Sequence, residues 1–478
     1  MRSHSAFLCV VFSVGVTLAP ATPSPAAAGS TSGPPGRVLY STNADSANIS
    51  IFPVGPAGTP RQPAKLLATS SDPNGMVITA DGRTAFVMNR GVHGVTPYSI
   101  GPKGNLTALS SPVATGGLFP FGITITPAGN LLFTSNIDSG TISTFAIHGD
   151  GTLSLVADPL PTGFDSPRGV AVTPDGRFLY VGHGRPTDHG PNALIGFAID
   201  RDGTLREVSR TFTSGAGAQM AISPDGRLLY LAGQGARAVF GYHIAQDGTL
   251  TPVPGEKFAA GENTEGAAIT PDGHHLYIAS PGLTRPDTQR NVSAYTINDN
   301  GSLTPVTGSP FQAGAGPLGI VASPDGRHLY VSNVDSSDLH IFAIGTDGGL
   351  RQVARSPLPT GGITPGFQAL TLTPNQGPAA AFVADVPRAG NAARFDASPS
   401  TDPDGHIAQF AWDFGDGTRL DDGGSNPTHA YRRPGTYTVT LTITDNETCS
   451  TSRVFTGSQT LCNGSAAAQA SHVLTIQH

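Results

Sequence analysis

The chain is dominated by one recurring pattern of apolar and polar positions. A short apolar run is followed by a polar turn that contains glycine, and then by a second apolar run that ends in Leu-Tyr-Val or a variant of it. This pattern predicts β-hairpins, because glycine accepts the positive φ of a tight turn at no steric cost. The six copies are Gly75–Asn89, Gly122–Asn136, Gly169–His183, Gln219–Gly233, Gly266–Ser280 and Gly319–Asn333.

The spacing of the copies predicts the architecture. Their turn glycines stand at positions 82, 129, 176, 226, 273 and 326, so successive copies are 47, 47, 50, 47 and 53 residues apart. Each unit also contains a second hairpin, for example Ala193–Ile199 and Thr204–Val208 around Asp202 and Gly203. A period of about 40–50 residues with four short strands per unit is typical of a β-propeller blade.

The two ends of the repeat region complement each other. The first strand pair begins at Arg37 without a preceding inner strand, and the last inner strand, Ala369–Pro374, has no strand after it. Together they make one blade, so we predict seven blades over residues 37–374. Residues 37–43 should then pair with residues 369–374, which removes the free edge of the sheet and closes the ring.

From residue 375 the pattern changes to long, strict alternation. Tyr437, Val439, Leu441 and Ile443 share one face of a run, and the only tryptophan, Trp412, lies in another alternating run. About 100 residues with one buried tryptophan predict an immunoglobulin-like sandwich over residues 375–478. The predicted fold class is therefore all-β, a seven-bladed β-propeller followed by a β-sandwich.

The N-terminal residues are typical of a secretory signal. Arg2 precedes an apolar stretch over residues 6–18, and a Pro/Ala segment ends at Ala28. We predict a signal peptide over residues 1–28, a linker over 29–36 and a secreted product, since the stretch is too short to span a bilayer. Removal of Cys9 leaves Cys449 and Cys462, which we predict to form a disulfide outside the cytosol.

Charge argues against a nucleic-acid partner, and the acidic and histidine clusters are interpreted as loop and turn residues in preference to metal sites. The net charge is −7 and the basic residues are scattered, so we expect no nucleic-acid partner, and we expect a monomer without a cofactor. His183, Asp188 and His189 share one loop, which we interpret as an exposed polar loop and not as a metal site. Asp402 and Asp404 are interpreted as turn residues in preference to Ca²⁺ ligands.

Two motifs in the C-terminal region resemble a known family. WDFGDG at Trp412–Gly417 and HAYRRPGTYTVTLTITD at His429–Asp445 resemble the PKD domain, and the resemblance covers residues 375–478. It implies a spacer or a module that contacts proteins or polysaccharides, as PKD domains do in exported microbial proteins.

The repeat itself resembles the lactonase-like and YVTN-type propellers, a group that includes 6-phosphogluconolactonase. The resemblance rests on Pro-Asp-Gly-Arg-x-Leu-Tyr-Val-x-Asn and implies a ligand site at the mouth of the central channel. Lactonase-like members typically carry His where this chain has Phe121, Arg168 and Ala218, and Asn-Glu after second strands where it has Asn89-Arg90 and Gly233-Gln234. The resemblance therefore implies the fold more strongly than the activity.

Candidate site residues stand just before the inner strands, on the face opposite the Pro-Asp-Gly turns. Arg168 can bind an anion and Glu265 can act as a base, so these two are the candidate catalytic pair. The other candidates for this ligand face are Asn74, Phe121, Gln219, His183, Arg185, His189, Arg285 and Gln368.

Three functions remain open from the sequence. The missing His and Glu favour a non-catalytic binding or scaffold protein whose partner is an extracellular protein or a cell-envelope polysaccharide. The alternative is a lactone hydrolase that uses Arg168 and Glu265. A third is a self-associating surface-layer type of protein. Convergence of Arg168 and Glu265 in one pocket would favour the hydrolase.

Overall fold

The computed structural model describes residues 37–55, 58–61, 65–184, 192–282, 290–385 and 389–477. Among them there is no α-helix, only strands and three short 3₁₀ turns. No described helix has the length and apolar character needed to cross a bilayer. The chain begins with β1 (Val38–Asn43), β2 (Asn48–Pro53) and β3 (Lys65–Ala68).

Six complete blades follow in chain order, and in four of them the outer strand is split into two short pieces. Blade one has β4 (Pro73–Ile78), β5 (Thr84–Asn89), β6 (Gly94–Ile100), β7 (Leu106–Ala108) and β8 (Val113–Ala114). Blade two has β9 (Pro120–Ile125), β10 (Leu131–Asn136), β11 (Thr141–Ile147), β12 (Leu153–Leu155) and β13 (Leu160–Pro161). Blade three has β14 (Pro167–Val172), β15 (Phe178–His183), β16 (Asn192–Ile199) and β17 (Leu205–Thr213).

The second half of the ring repeats this order. Blade four has β18 (Ala216–Ile222), β19 (Leu228–Gln234), β20 (Ala238–Ile244) and β21 (Leu250–Ala259). Blade five has β22 (Gly266–Ile269), β23 (His275–Ser280), β24 (Asn291–Ile297), β25 (Leu303–Pro305) and β26 (Phe311–Gln312). Blade six has β27 (Pro317–Ala322), β28 (His328–Asn333), β29 (Asp338–Ile344), β30 (Leu350–Gln352) and β31 (Leu358–Pro359).

The seventh blade is built from both ends of the propeller region. Its inner strand, β32 (Pro365–Leu372), pairs antiparallel with β1, and Leu39 stands opposite Leu372 and Tyr40 opposite Thr371. The sheet continues outward from β1 to β2 and β3. The predicted closure of the ring is therefore confirmed, and the seven inner strands contact one another in cyclic order around the channel.

Close approach of neighbouring inner strands explains the glycine that begins most copies of the repeat. A Cβ atom on Gly122 would lie 2.1 Å from the carbonyl oxygen of Arg168, and one on Gly169 would lie 1.7 Å from that of Ala218. Both distances are shorter than any real contact between these atoms. Any larger residue would push the blades apart, so the motif selects glycine for space around the channel.

The tyrosine of the Leu-Tyr-Val strand joins five of the seven blades to the next one. Its hydroxyl crosses to the neighbouring blade and donates a hydrogen bond to a glycine carbonyl in the turn between the third and outer strands. Because these hydroxyls are buried, the bonds satisfy groups that would otherwise be costly to remove from water. The five pairs are Tyr40–Gly104, Tyr180–Gly248, Tyr230–Gly301, Tyr277–Gly348 and Tyr330–Gly58, with O···O distances of 2.6–3.0 Å.

The C-terminal region forms the predicted sandwich. One sheet contains β33 (Val383–Asp385), β34 (Ala392–Asp396) and β37 (Thr428–Ala430), and the other contains β36 (Arg419–Leu420), β35 (Ile407–Asp413), β38 (Gly435–Asp445) and β41 (Gln469–Ile476). A separate hairpin joins β39 (Val454–Phe455) to β40 (Thr460–Cys462). Trp412 is buried between the sheets against Phe382 and Phe395, and its Nε1 donates to the carbonyl of Gly424.

The sandwich is bonded directly to the propeller. Arg37, at the start of the propeller, forms ion pairs with Asp404 and Glu447 of the sandwich, and its guanidinium is almost completely buried. Burial opposes the charge of Arg37, but the two carboxylates outweigh it and raise the pKa of Arg37. The close contact differs from the spacer role that the PKD resemblance implied.

Asp402 makes turn contacts, and Asp404 contacts Arg37 at the interface with the propeller. Asp402 accepts hydrogen bonds from the backbone of Asp404 and Gly405, as the turn interpretation requires. Within the described part of the chain no group of three or more His, Cys, Asp or Glu residues is arranged to hold a metal ion.

The bonds between blades predict a measurable cost. Replacing Tyr230 by Phe should lower the free energy of unfolding by about 0.5–1.5 kcal/mol, since the carbonyl of Gly301 loses its partner without a change in packing. Urea unfolding measures this. The same change at Tyr437, whose hydroxyl bonds at the surface, is the control and should have a smaller effect. Equal costs at both positions would contradict a special role for the bond between blades.

Candidate functional site

Three consecutive blades bring the candidate catalytic pair together at one mouth of the channel. Arg168 is the second residue of β14 in blade three, and Glu265 directly precedes β22 in blade five. Between them stands Gln234, the last residue of β19 in blade four. The side chains of Arg168 and Glu265 therefore converge. From the sequence, we expected such convergence to favour a hydrolase.

The three side chains form one buried polar network. Nη1 of Arg168 donates to Oε1 of Gln234, and Nε2 of Gln234 donates to Oε1 of Glu265. Nη2 of Arg168 lies 3.5 Å from Oε2 of Glu265. Only 9% of Arg168 and 4% of Glu265 are exposed. A buried charge needs such a partner, because an unpaired one carries a large desolvation cost.

Burial leaves two polar atoms of this network without a hydrogen bond. Nε of Arg168 and Oε2 of Glu265 have no hydrogen-bond partner among the described residues, although the second faces the guanidinium in an ion pair. Both atoms are also shielded from solvent, so their unmade hydrogen bonds carry a desolvation cost that the ion pair only partly offsets.

Burial raises the pKa of Glu265 to about 7, and the charge of Arg168 and the hydrogen bond from Gln234 limit that rise. A carboxyl group with a pKa near neutrality exists in both its protonated and ionised forms at physiological pH. That property is required of a general base that must accept and return a proton during one turnover.

Aromatic rings cover one side of the guanidinium. The rings of Phe121 and Phe367 pack with centroids 4.4 Å apart, and the guanidinium carbon of Arg168 lies 4.7 Å from the centroid of Phe121. This cation–π contact stabilises the positive charge and fixes its orientation. Arg90 lies 5.1 Å from the ring of Phe119 and is held by a two-point ion pair with Asp72.

A cavity of about 390 Å³ opens over this network. Its volume falls within the range of pockets that bind small molecules. Its lining includes Asn74, Arg90, Phe121, Arg168, Glu265 and Phe367.

Three of the predicted ligand-face residues bond the inner strands to one another. The side chain of Asn74 accepts from the backbone N–H of Phe367 and donates to the carbonyl of Phe121. Gln219 donates to the carbonyl of Phe367, and Gln368 accepts from the N–H of Ile123. Gln219 and Gln368 line a smaller cavity deeper in the channel. Asn74 lines the candidate pocket, as does Phe121, which was also predicted for the ligand face.

His183 differs from the expectation of an exposed loop residue. It ends β15, it is completely buried, and its Nδ1 lies 3.1 Å from the carbonyl oxygen of Val181. Burial lowers the pKa of His183 to about 4, which keeps the ring neutral near pH 7. Arg185, Asp188, His189 and Arg285 lie outside the described residues.

Three members of the site were not predicted from the sequence as site residues: Arg90 and Gln234, which were noted only as departures from the lactonase-like pattern, and Phe367. Gln234 and Arg90 both directly follow or end a second strand, at positions that face the same mouth as the inner-strand starts. That shared position is a signal in the sequence. The stacking of Phe367 on Phe121 has no signal of its own, because it depends on how far apart blades two and seven stand around the channel.

Comparison with known families agrees with the geometry of the ring. A model of the lactonase seven-bladed β-propeller family matches residues 59–165, 156–265 and 249–363, together more than half of the chain. The chain belongs to this family. A PKD-domain model matches residues 375–458. The resemblances stated from the sequence are therefore confirmed for both regions.

Relatives with assigned functions match parts of the chain. It is 26% identical over 187 residues to the 6-phosphogluconolactonase of Serratia proteamaculans, which covers 31% of this chain and 56% of that one. It is 40% identical over 78 residues to a microbial collagenase of Vibrio alginolyticus, which covers 16% and 9% respectively. The chain thus spans from about a tenth to just over half the length of these curated relatives.

Solved structures share the propeller fold. A putative 6-phosphogluconolactonase from Bacteroides uniformis superposes with a TM-score of 0.60 at 19% identity, covering 71% of this chain and 99% of that one. The periplasmic gluconolactonase PpgL of Pseudomonas aeruginosa gives 0.58 at 20% identity, with 70% and 99% covered. At these identities the likeness shows the fold alone.

The buried pair predicts a pH-dependent cost of removing its cation. Replacing Arg168 by Met leaves Glu265 without a counter-ion, so the pKa of Glu265 should rise further. The free energy of unfolding should fall by about 3–5 kcal/mol at pH 8.5, where the wild-type carboxyl is ionised. The loss should be smaller at pH 5, where the folded protein holds this carboxyl protonated.

Urea titrations at the two pH values measure this difference. Arg90→Met is the control, since the pair of Arg90 with Asp72 is partly exposed and is worth about 1 kcal/mol or less. A loss for Arg168→Met that is equal at pH 5 and pH 8.5 would contradict the pairing with a titrating Glu265.

Proposed function

We propose that this protein is an exported lactone hydrolase whose active site is the pocket at the channel mouth. The proposal rests on the convergence of Arg168 and Glu265, which were predicted as a pair from their positions on different blades. Nη2 of Arg168 lies 3.5 Å from Oε2 of Glu265. From the sequence, we ranked a non-catalytic role first, because the His and Glu of lactonase-like members are missing. We place the hydrolase first because these two side chains converge in one pocket.

The chemistry assigns one role to each group. Ionised Glu265 takes a proton from a water molecule, and the water oxygen attacks the carbonyl carbon of the lactone. Arg168 stabilises the negative charge that develops on the carbonyl oxygen. The ring C–O bond then breaks, and Glu265 returns its proton to the departing ring oxygen. Lactone and water thus become a hydroxy acid, with no net change at the enzyme.

The pocket favours a polar, oxygen-rich lactone as substrate. Arg90 and Arg168 both line the cavity, and Asn74 lies beside them, so a sugar-acid lactone finds donors around its hydroxyl oxygens. The relative named 6-phosphogluconolactonase supports the same substrate class. A phosphate on the sugar is compatible with the two guanidinium groups.

Export is supported by the N-terminal pattern and by the C-terminal region. Residues 1–28 have the sequence of a signal peptide, Cys449 and Cys462 are joined by a disulfide, and a PKD domain follows the propeller. We propose that the protein acts outside the cytosol and that its PKD domain faces an extracellular protein or an envelope polysaccharide.

One observation favours a second function, that of a non-catalytic binding or scaffold protein. Gln234 and Arg168 between them contact both carboxylate oxygens of Glu265. A carboxylate held in this way is also suited to a fixed ion pair that shapes a pocket for ligand binding without chemistry. The two candidates differ in whether the proton of Glu265 moves.

Hydrolysis of a lactone panel tests the first candidate. The wild-type protein should hydrolyse glucono-δ-lactone or 6-phosphogluconolactone. The acid released at constant pH measures the rate. Glu265→Gln should lower kcat by at least about 100-fold, because the amide cannot accept the proton. The kcat/KM of the wild type should rise with pH through about 7 as Glu265 ionises.

Glu207→Gln is the matched control, since Glu207 pairs with Arg210 on the outer surface of the propeller and should leave the activity unchanged. Absence of lactone hydrolysis by folded wild-type protein, or full activity of Glu265→Gln, would refute the hydrolase. In the first case, saturable binding of a sugar acid that depends on Arg168 would favour the binding protein instead.

A further inference from the structure

Part of the sandwich lies inside the propeller channel. After β38 the chain leaves the sandwich, passes through Cys449 and forms the β39–β40 hairpin before it returns as β41. The tip of this hairpin, residues 456–459, reaches the inner strands at the end of the channel opposite the candidate site. We call the segment Cys449–Cys462 the stopper.

The tip makes hydrogen bonds to four blades. The carbonyl of Thr456 accepts from the N–H of Ile222 at 3.2 Å, and the carbonyl of Gly457 accepts from the N–H of Val172 at 2.8 Å. Gly457 also accepts from Oγ1 of Thr124 at 2.9 Å. The fourth blade is reached by Gln459, which donates to the carbonyl of Leu370 at 3.0 Å. Backbone groups that inner strands leave unpaired towards a channel are thus paired by the tip.

The fit of the tip is also steric. Phe455 is fully buried and belongs to the apolar core formed by the strands of blades one, two and three. Gly457 has a φ of +106°, and a Cβ atom there would lie 3.2 Å from Cβ of Ala171 and 3.4 Å from the nitrogen of Ile222. The backbone conformation therefore favours glycine at the tip, and any larger residue there would also have to displace its neighbours in the channel by a few tenths of an ångström.

The base of the stopper is fixed on both sides. Cys449 and Cys462 are joined by a disulfide with a Cα–Cα distance of 5.5 Å, which closes the loop that carries the tip. Arg453 donates to the carbonyl of Pro127 at the propeller rim. On the sandwich side, Asp445 accepts from the backbone N–H of Cys449 at 2.8 Å.

Little space remains between the tip and the floor of the candidate site. The cavity beyond the tip has a volume of about 30 Å³ and is lined by Gln219, Gln368 and Gln459, among others. A volume of this size accommodates one or two water molecules. Gln219 on its far side bonds the carbonyl of Phe367, whose side chain lines the pocket. The space left in this layer is too small for a sugar lactone or a ligand of similar size.

We propose that the stopper is a permanent closure of the propeller channel. It makes the candidate pocket a blind cavity that solutes enter and leave from one face only, and it couples the unfolding of propeller and sandwich. The assignment does not depend on which reaction the pocket performs. It gives the PKD domain an intramolecular role in addition to any external partner.

Hydrogen exchange of the full chain tests the proposal. In the wild type, the backbone N–H groups of Val172 and Ile222 should exchange slowly, since their acceptors are on the stopper. Replacing Gly457 by Val should expel the tip and accelerate exchange at both positions by at least about tenfold. Calorimetry should then show two separate unfolding transitions where the wild type shows one.

Gly417→Val is the matched control, because Gly417 also has a positive φ, of +91°, but has no other residue near its Cβ position. It should leave exchange at Val172 and Ile222 unchanged. Slow exchange at both positions in Gly457→Val would overturn the proposal. If that variant does not fold, the wild type decides: exchange of Val172 and Ile222 at the rate of unprotected amides would overturn the proposal, and strong protection would support it.

Discussion

The hydrogen bond from a tyrosine hydroxyl of one blade to a glycine carbonyl of the next is the interaction on which the ring depends. Five of the seven junctions between blades carry it, and in the two remaining second strands the equivalent residues are Phe86 and Phe133. Together with the pairing of β1 and β32, these bonds set the angle between blades. The channel and the distances across it follow from that angle.

The candidate site exists only because the ring is closed at this angle. Arg168, Gln234 and Glu265 come from three consecutive blades, and no two of them are neighbours in sequence. A buried ion pair contributes little net stability, because desolvation of the charges offsets their attraction. Stability alone therefore gives no reason to build this network at the open end of a channel. A role in binding or chemistry does, and the near-neutral pKa of Glu265 makes proton transfer the simplest one.

The stopper connects the sandwich to the closed ring of the propeller. A propeller channel open at both ends would expose the inner strand edges to water and leave Val172 and Ile222 without protein acceptors. The hairpin supplies those acceptors, and the ion pairs of Arg37 with Asp404 and Glu447 hold the sandwich against the same face. The two regions are thus parts of one compact unit.

Most of the fold could be predicted from the sequence, because its determinants are local and repeated. The turn glycines, the 47-residue spacing and the two incomplete units at the ends were enough for seven blades and their closure. Arg168 and Glu265 could be found by register, since each stands at the start of an inner strand. The position of Gln234 at the end of a second strand places it at the same mouth, but its bonds to both partners depend on the angle between blades.

The position of the stopper and the burial of His183 could not be predicted from the sequence, for a similar physical reason. Two cysteines separated by 12 residues indicate a closed loop but not where its tip lies, and the tip contacts strands more than 230 residues away. His183 occupies a polar segment in the sequence, yet its ring is covered by Phe164 and by neighbouring strands. Both features are set by packing between distant segments.

The most direct test of the account is the titration of the Glu265 carboxyl group itself. In full-length protein labelled with ¹³C at glutamate carboxyl carbons, the Glu265 signal is identified by its absence from Glu265→Gln. A buried Glu265 carboxyl paired with Arg168 should titrate with a midpoint near pH 7. A midpoint near 4.5, the ordinary value for glutamate, would contradict a buried carboxyl coupled to Arg168 and with it the proposed base.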